Sequence, residues 1–583
     1  MTFAKLSGYL EKLEKTASRN QITEILADLF KKADTSEIDK ICYLVLGRIS
    51  PQYAGIEFNL AERMMVRAVA LAYDKDPKDV TKEYKQVGDL GDVAAALAAH
   101  SSQRTAVSKQ SVQNVYDKLH EIAVESGEGS QERKLVGVSD LLKKVDPLPA
   151  RYIVRIPVGK LRLGFSDITM LDALSVMEVG DKSARAKIEA LYNVTADIGA
   201  IAKRVKKTGL AGIEKVDAVP GVPIRSSLSD RLPTAEKIIE KVGPKLAVEP
   251  KFDGFRTQVH ITGKREVFLF SRNQENVTSM FPDTVEAAKK LNVNDAIFDG
   301  ESIGYNPKTD KFVPFQETIQ RKRKYGISEM SKQVPLKVFV FDVLHLNGKT
   351  LLNKPFSDRR KAIEKLFKGK TGTFLLTEQE IVDDPKALTV IFKKFVGEGL
   401  EGIMAKKLDA PYKAGGRGFH WVKFKPGTKS MLKDSETLDT IDCVLMGAFR
   451  GKGKRAQFGV GGFLLGVRDG KDKYYTISNL GTGLTDTQFR DMYKRVQKLE
   501  VADKPKEYMV DKMIDPDIWV RPKVVLEVLA DEITLSTRHT AGMKKTRGYS
   551  LRFPRLIKVR DDKSPMDATT VREVEKLYKI QSG

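Results

Sequence analysis

AVEPKFDGFR, residues 247–256, decides the reading of this chain. It continues the strand-like KLAV and carries Lys251, Asp253, Gly254 and Arg256 within six residues. Lys251 and Asp253 are two apart and share a face in extended backbone. Gly254 permits a sharp turn that returns Arg256 to the same cleft. A lysine attacks only as the free base, and with an unperturbed pKa of about 10.4 roughly one in a thousand is free at neutral pH. Burial beside other cations, with a metal near, lowers that barrier. Alone, K-x-D-G-x-R fits a surface hairpin better than a site.

It has company downstream. SRNQENVT at 271–278 follows the strand EVFLF and puts Arg272 at a strand end. AIFDGE at 296–301 sets Asp299 and Glu301 on one strand face with Gly300 between them. Two such carboxylates are costly neighbours unless a cation such as Mg²⁺ neutralises them. Phe341 ends the apolar run in KVFVFDVLHL, a place that suits core packing and base stacking alike. EGIMAK follows at 401–406, and HWVKFK at 420–425 puts Trp421, Lys423 and Lys425 on one strand face with Val422 and Phe424 behind. Cation-out, apolar-in alternation is what a strand lining a phosphate cleft requires. Any one piece reads as a solvated charge or a packed aromatic; six in this order do not arise by chance.

The rest of the chain fits a nucleic-acid-class protein. Its 583 residues suggest three to four domains, and 41% hydrophobic with 30% charged residues is globular composition. A net charge of +23 favours a polyanionic partner, nucleic acid ahead of a membrane surface. Cys42 and Cys443 are too few and too far apart for a disulfide framework or a cysteine zinc site. No apolar run approaches a membrane span and no signal core opens the chain, so a soluble, intracellular protein is expected.

Residues 1–220 read as a helical domain. Leu6, Leu10 and Leu13 give one apolar stripe, and Ile22, Ile25, Leu26 and Leu29 a second. RYIVRIPVGKLRLGF at 151–165 interleaves basic and apolar residues, and Gly159 and Gly164 bracket Lys160 and Arg162, an arrangement suited to phosphate contact. VDAVPGVPIRSSLSDRLP at 216–233, with three prolines, reads as a linker. Strands and helices alternate over 235–427, and a second seam lies at KPGTKSMLKDSETLD. Over 433–583 closely spaced strands with Gly-rich turns suit a small barrel of the OB kind.

KFDGFR, SRNQENVT, FDGE, VFVFDVLHLNG, EGIMAK and WVKFK together resemble, in order, the nucleotidyltransferase motifs of the ATP-dependent DNA ligases, within the covalent nucleotidyltransferase superfamily. RFPRLIKVRDDK at 552–563 is similar to that family's last motif, and VGKLRLGF to the DNA-binding domain of its replicative, archaeal and eukaryotic type. One departure is IRSSLSDRL, where the family usually has a Met-containing entry segment; it holds no catalytic residue.

The resemblance implies an all-α DNA-binding domain, an α+β adenylation domain and an all-β OB-fold domain. It implies that Lys251 attacks ATP to form lysyl–AMP, that AMP passes to the 5′-phosphate of a nick, and that the 3′-hydroxyl then displaces it. Glu249 matches the adenine-reading position, Arg256 and Arg272 the ribose and phosphate contacts, and Phe341 the ring that stacks on adenine. Glu301 would hold the ribose or a metal, and Glu401 a metal; the metal would be Mg²⁺ or Mn²⁺. Arg417, Lys423 and Lys406 match α-phosphate contacts, with Lys425 close by. A separation of five places Glu401 and Lys406 on opposite faces of a regular strand, so Glu401 must precede the strand or a bulge must intervene. Arg560, Asp562 and Lys563 would orient pyrophosphate.

The expected partner is nicked duplex DNA, gripped mainly at backbone and minor groove by a monomer. QITEILADLF at 21–30 has the glutamine and aromatic of a sliding-clamp peptide but the wrong spacing, which leaves a clamp open as a partner. A prokaryotic, cytoplasmic protein is expected, with RKRK at 321–324 a solvated or DNA-facing surface. Among rivals, an RNA ligase or capping enzyme would lack the large helical domain, and an NAD-dependent ligase would carry a four-cysteine zinc site. A purely architectural DNA-binding protein would leave the ordered lysines and carboxylates without purpose. NGKT at 347–350 and KGKT at 368–371 lack the first glycine of a P-loop.

Overall fold

The structure, a computed structural model, describes residues 1–581 except 102–109, 160, 162, 214–216, 310, 324–325, 370–371, 426–439, 452–454, 456–457, 471, 531 and 545. Two compact units divide the chain, Met1–Pro426 and Gly427–Gly583. No helix among the described residues is long and apolar enough to cross a membrane.

The first unit begins with helices from Phe3–Glu14 to Ile198–Thr208. Both expected stripes face one core: Leu6, Leu10, Leu13, Leu26 and Leu29 are fully buried, Ile22 nearly so, and Ile25 packs at the margin. Ser18 and Asp89 start helices by accepting from Gln21 N and Asp92 N, the usual role of short polar side chains there. The RYIVRIPVGKLRLGF stretch departs from its expectation. Its first five residues complete the helix Pro147–Arg155, and Arg155 is buried, bonded to Glu14 (2.8 Å), Asp89 (3.0 Å) and Asp92 (3.2 Å). That leaves the expected phosphate contact to the segment from Gly159 to Gly164, both at positive φ, where Leu161 and Leu163 are buried. Lys160 and Arg162 themselves lie outside the described residues.

The expected linker is packed rather than free. Ala218 and Ile224 join a core with Ile297, Leu344, Leu352, Tyr412 and Trp421. Ile224 N donates to Gln258 Oε1 (2.8 Å), Gln258 Nε2 returns a bond to Ile224 O (3.1 Å), and Gly221 N donates to His260 Nδ1 (3.1 Å). Three prolines mark the segment as irregular, but its backbone groups still need partners once buried, and the side chains of Gln258 and His260 on an interior strand of a sheet supply them. His260 is fully buried, and burial pushes its pKa down to about 3. The folded state therefore binds fewer protons than the unfolded chain as pH falls below the ordinary histidine range, and stability drops. We expect thermal unfolding to show a slope of up to about 1.4 kcal/mol per pH unit below pH 6 from this group. His260→Gln should flatten that slope, and an unchanged slope would assign it elsewhere.

Beyond the linker stand two sheets. One has the order 230–231, 421–424, 403–407, 246–250, 380–382; the other runs 267–271, 255–261, 296–306, 336–346, 349–350. The strand Leu246–Pro250 belongs to the first and Phe255–Ile261 to the second, so Lys251 sits where the chain crosses between them. The second unit is β-rich, as expected. The strand Ile441–Arg450 is central, flanked by Val460–Arg468 on one side and by Ile518–Val520 and Val525–Leu529 on the other, over a core that includes Cys443, Leu445, Phe463 and Leu526. The seam expected at 425–439 falls almost wholly outside the described residues.

Candidate active site

Lys251 is held by its own backbone. Its N–H donates to Gly402 O (2.9 Å), and Glu401 N–H donates to Lys251 O (3.0 Å). This pairing brings Glu401 Oε2 onto Lys251 Nζ, while Lys425 Nζ takes Glu401 Oε1 at 2.8 Å. Glu401 precedes the strand Ile403–Lys407, which resolves the five-residue spacing by the first of the two expected routes. Gly402 makes the approach possible, because a Cβ there would lie 2.1 Å from Phe424 O at a φ of +133°. Gly254 does the same for the turn after Lys251, where a Cβ would lie 2.4 Å from Ser302 O.

The cations expected at the phosphates do gather. Burial pushes the Lys423 pKa down, and the charges of Lys425, Lys251, Arg272 and Arg417 push it further, so these five lie within electrostatic reach of one another. Arg272 and Arg417 are exposed; Lys251 keeps 23% of its side chain open. Facing them are two carboxyls. Burial raises the Glu301 pKa to about 7 against the pull of Lys251 and Arg256, and the charges of Glu401 and Asp299 raise it further. Glu401 is also pushed up by burial, but Lys251 and Lys425 outweigh that and leave it below the ordinary value. Among the described residues no group of three or more His, Cys, Asp or Glu forms a metal cage. The two glutamates are instead the kind of sparse donor set that Mg²⁺ completes with water and phosphate oxygens.

Arg256 is engaged on every side. Its Nε donates to Asp299 Oδ1 (2.9 Å), its Nη1 to Ser227 O (2.8 Å) and its Nη2 to Tyr412 OH (3.1 Å). The guanidinium lies 5.4 Å from the Phe341 ring and 5.5 Å from Trp421. Trp421 keeps its expected face but is buried there, edge-on to Phe341 at 5.9 Å. Lys406 stands apart from the five cations. Its Nζ contacts Glu249 at 2.6 Å and lies about 4.6–4.7 Å from the rings of Phe341, Phe356 and Trp421. Residues 249, 341, 406 and 421 thus form an aromatic end, and 251, 401, 423 and 425 an ionic end.

Sequence reasoning missed several members. Tyr412 donates to Asp299 Oδ2 (2.8 Å), and Gln379 Nε2 donates to Glu249 Oε1 (2.9 Å). Arg359 and Asp342 are an ion pair with neither side chain exposed, and Arg360 is buried beside Glu249. A signal for the two arginines was present: in the helix Phe356–Phe367 they fall at i+3 and i+4 from Phe356 and precede Ile363, on the apolar stripe.

In the second unit, Arg560 bonds Asp562 (2.8 and 2.7 Å) and approaches Asp442 (3.4 Å) and Glu527 (3.5 Å), while Lys563 reaches Asp442 at 2.5 Å. Arg560 holds the Asp562 carboxyl well below the usual range. A cavity of about 480 Å³ belongs to the helical region, lined by Arg48, Gly159, Gly164, Asp167, Tyr192 and Arg225 among others, and includes none of the residues around Lys251.

Comparison with known proteins covers nearly the whole chain. Residues 226–425 match the family described as ATP dependent DNA ligase domain, 2–175 the DNA ligase N terminus, and 456–563 the ATP dependent DNA ligase C terminal region. A probable DNA ligase of Dictyoglomus turgidum is 44% identical over 100% of this chain and 98% of its own. A DNA ligase of Acidianus ambivalens is 38% identical over the same shares. A solved structure titled Pmar-Lig_Pre aligns over 95% of this chain and 99% of its own at a TM-score of 0.56 and 16% identity, a likeness of fold.

Proposed function

This chain belongs to the ATP-dependent DNA ligases, and from that membership we propose that Lys251 is its nucleophile and that the aromatic and ionic ends divide the nucleotide between them. The enzyme seals nicks in double-stranded DNA at the expense of ATP. The observation that carries the residue assignment is the Lys251–Glu401 pair set among Lys423, Lys425, Arg272 and Arg417. Lys251 Nζ gives up a proton and bonds to the α-phosphorus as the bond to pyrophosphate breaks. AMP then passes from Nζ to the 5′-phosphate of the nick, and the 3′-hydroxyl attacks that phosphorus with AMP as leaving group. Each step gathers negative charge on phosphoryl oxygens, and fixed cations stabilise it without reorganising.

Within this scheme Glu249 reads the base, Phe341 stacks on it, and Arg256 contacts the ribose from its bracket of Asp299, Tyr412 and Ser227. Lys406, joined to Glu249, serves the base end, and Lys423, Lys425, Arg272 and Arg417 serve the phosphates. Glu301 and Glu401 would hold Mg²⁺, or Mn²⁺, which shields phosphate charge when bound. Arg560, Asp562 and Lys563 would orient pyrophosphate, and Lys160 and Arg162 would contact duplex phosphates. The corresponding domains are 1–220, 235–427 and 433–583. The protein acts as a cytoplasmic monomer.

Intact mass tests the scheme. Incubation with ATP and Mg²⁺ should add the mass of one AMP, and a chase with nicked DNA should remove it as the nick closes. An adduct that DNA cannot discharge would point to a capping-type enzyme, and no adduct under any nucleotide or metal would end the lysyl–AMP reading.

A further inference from the structure

Glu249 is nearly sealed from solvent, with 2% of its side chain exposed, and its two oxygens are held differently. Oε2 belongs to Lys406 at 2.6 Å. Oε1 accepts from Gln379 Nε2 at 2.9 Å and faces Arg360 Nη1 at 3.6 Å, an ion pair too long for a hydrogen bond. Gln379 arrives there by register. The strand Glu380–Val382 pairs antiparallel with Leu246–Pro250, Glu380 opposite Val248, so continuing one step sets Gln379 opposite Glu249. Arg360 arrives from the helix Phe356–Phe367, where its Nε is fixed by Glu364 Oε1 at 2.9 Å. Its Nη1 is buried without a hydrogen-bond partner, a costly state unless its position serves something.

The geometry points to Arg360 and Gln379 as positioning residues that set the base preference of the nucleotide pocket, by fixing the Glu249 carboxylate to accept from a 6-amino purine and to reject a 6-oxo purine. This rests on the reading of Glu249 as the residue that meets the base. An ionised carboxylate accepts and cannot donate. A 6-amino group offers it a hydrogen, whereas a 6-oxo group offers only lone pairs and leaves both acceptors facing each other. That rejection is strong only while the carboxylate cannot turn aside, because a site discriminates by leaving buried polar groups unpaired. Lys406 fixes one oxygen; Gln379 and Arg360 fix the other. Without them Oε1 is free to rotate away from a 6-oxo group, and the penalty falls.

The test is the initial rate of covalent adduct formation, read by intact mass on the full-length protein, with ATP against inosine triphosphate. The unmodified protein should prefer ATP. Gln379→Met and Arg360→Met should each lower the ATP-to-ITP ratio about tenfold, on the scale of one lost hydrogen bond or ion pair. Arg360→Lys should restore most of the preference. A general loss of structure would slow both nucleotides alike and leave the ratio in place. Should Arg360→Met fail to fold, Gln379→Met decides alone, since Gln379 is half-buried at a strand end. Glu249→Gln, whose amide faces either base, should collapse the ratio. An unchanged ratio in the Gln379 and Arg360 variants, with collapse in Glu249→Gln, overturns this inference and spares the reading of Glu249. An unchanged ratio in Glu249→Gln removes both.

Discussion

Lys251→Ala should gain no mass from ATP and should seal nicks at least about 10⁴-fold more slowly, as removal of a covalent nucleophile does elsewhere. Sealing of a nick already carrying AMP on its 5′-phosphate should fall far less, because that step no longer needs Nζ. Folding should be little affected. The side chain is 23% exposed, and Glu401 keeps Lys425 as its partner at 2.8 Å, so the variant loses part of an ion pair without stranding a carboxylate. Lys251→Arg separates charge from nucleophilicity. It keeps a cation against Glu401, yet a guanidinium stays protonated and cannot attack phosphorus. We therefore expect Lys251→Arg to match Lys251→Ala in adduct formation while retaining more affinity for ATP, measured by titration. An AMP adduct persisting in either variant would transfer the nucleophile to Lys423 or Lys425, the two lysines nearest in the cluster, and peptide mapping would say which.

Arg359→Leu should destabilise the first unit by about 3–5 kcal/mol, read as a lower midpoint in chemical denaturation. Arg359 and Asp342 are both fully buried, paired through Nε–Oδ1 at 2.7 Å and Nη2–Oδ2 at 3.0 Å. The same guanidinium reaches Lys354 O and Ala410 O, so its loss leaves the Asp342 carboxylate without its counter-charge and takes a donor from two carbonyls, of which Ala410 O keeps Phe356 N (3.0 Å). Most of the cost is the uncompensated charge, and Asp342→Asn added to Arg359→Leu should recover more than half of it. Asp342 directly follows Phe341 in the strand Leu336–Leu346, so the single variant should also weaken nucleotide binding by loosening the aromatic ring. A cost below about 1 kcal/mol would show that water enters the pair and that the ring is held by other means.

Much of the site was legible because its chemistry is local in sequence. Lys251, Gly254 and Arg256 declare themselves within six residues, and the glycines do what their lack of a side chain allows, at 254 for the turn and at 402 for the close approach of Glu401. The alternation in WVKFK appears in the structure as Val422 and Phe424 buried with Lys423 and Lys425 toward the cation cluster. The helical stripes over the first 30 residues were equally readable, since burial of one helix face leaves a period in the sequence.

Partner choice was less legible. Arg155 reads as one more cation in a basic stretch, and only the packing of three helices turns it inward onto Glu14, Asp89 and Asp92. The prolines at 220, 223 and 233 mark irregular backbone, but not that Gln258 and His260 bind it to a sheet. Lys406 and Lys423 are the same residue type on adjacent strands, paired Lys406↔Trp421 and Met404↔Lys423, yet one meets Glu249 and three rings and the other meets cations. By itself the sequence determined the family and the order of its helical, adenylation and β-rich regions, and it singled out Lys251 as the lysine we propose to react, because these depend on residue types at short separations. Which charge answers which was decided only by tertiary structure, because an ion pair such as Arg359–Asp342 or Arg256–Asp299 joins strands and helices distant in the chain, and its strength depends on the burial that the fold creates.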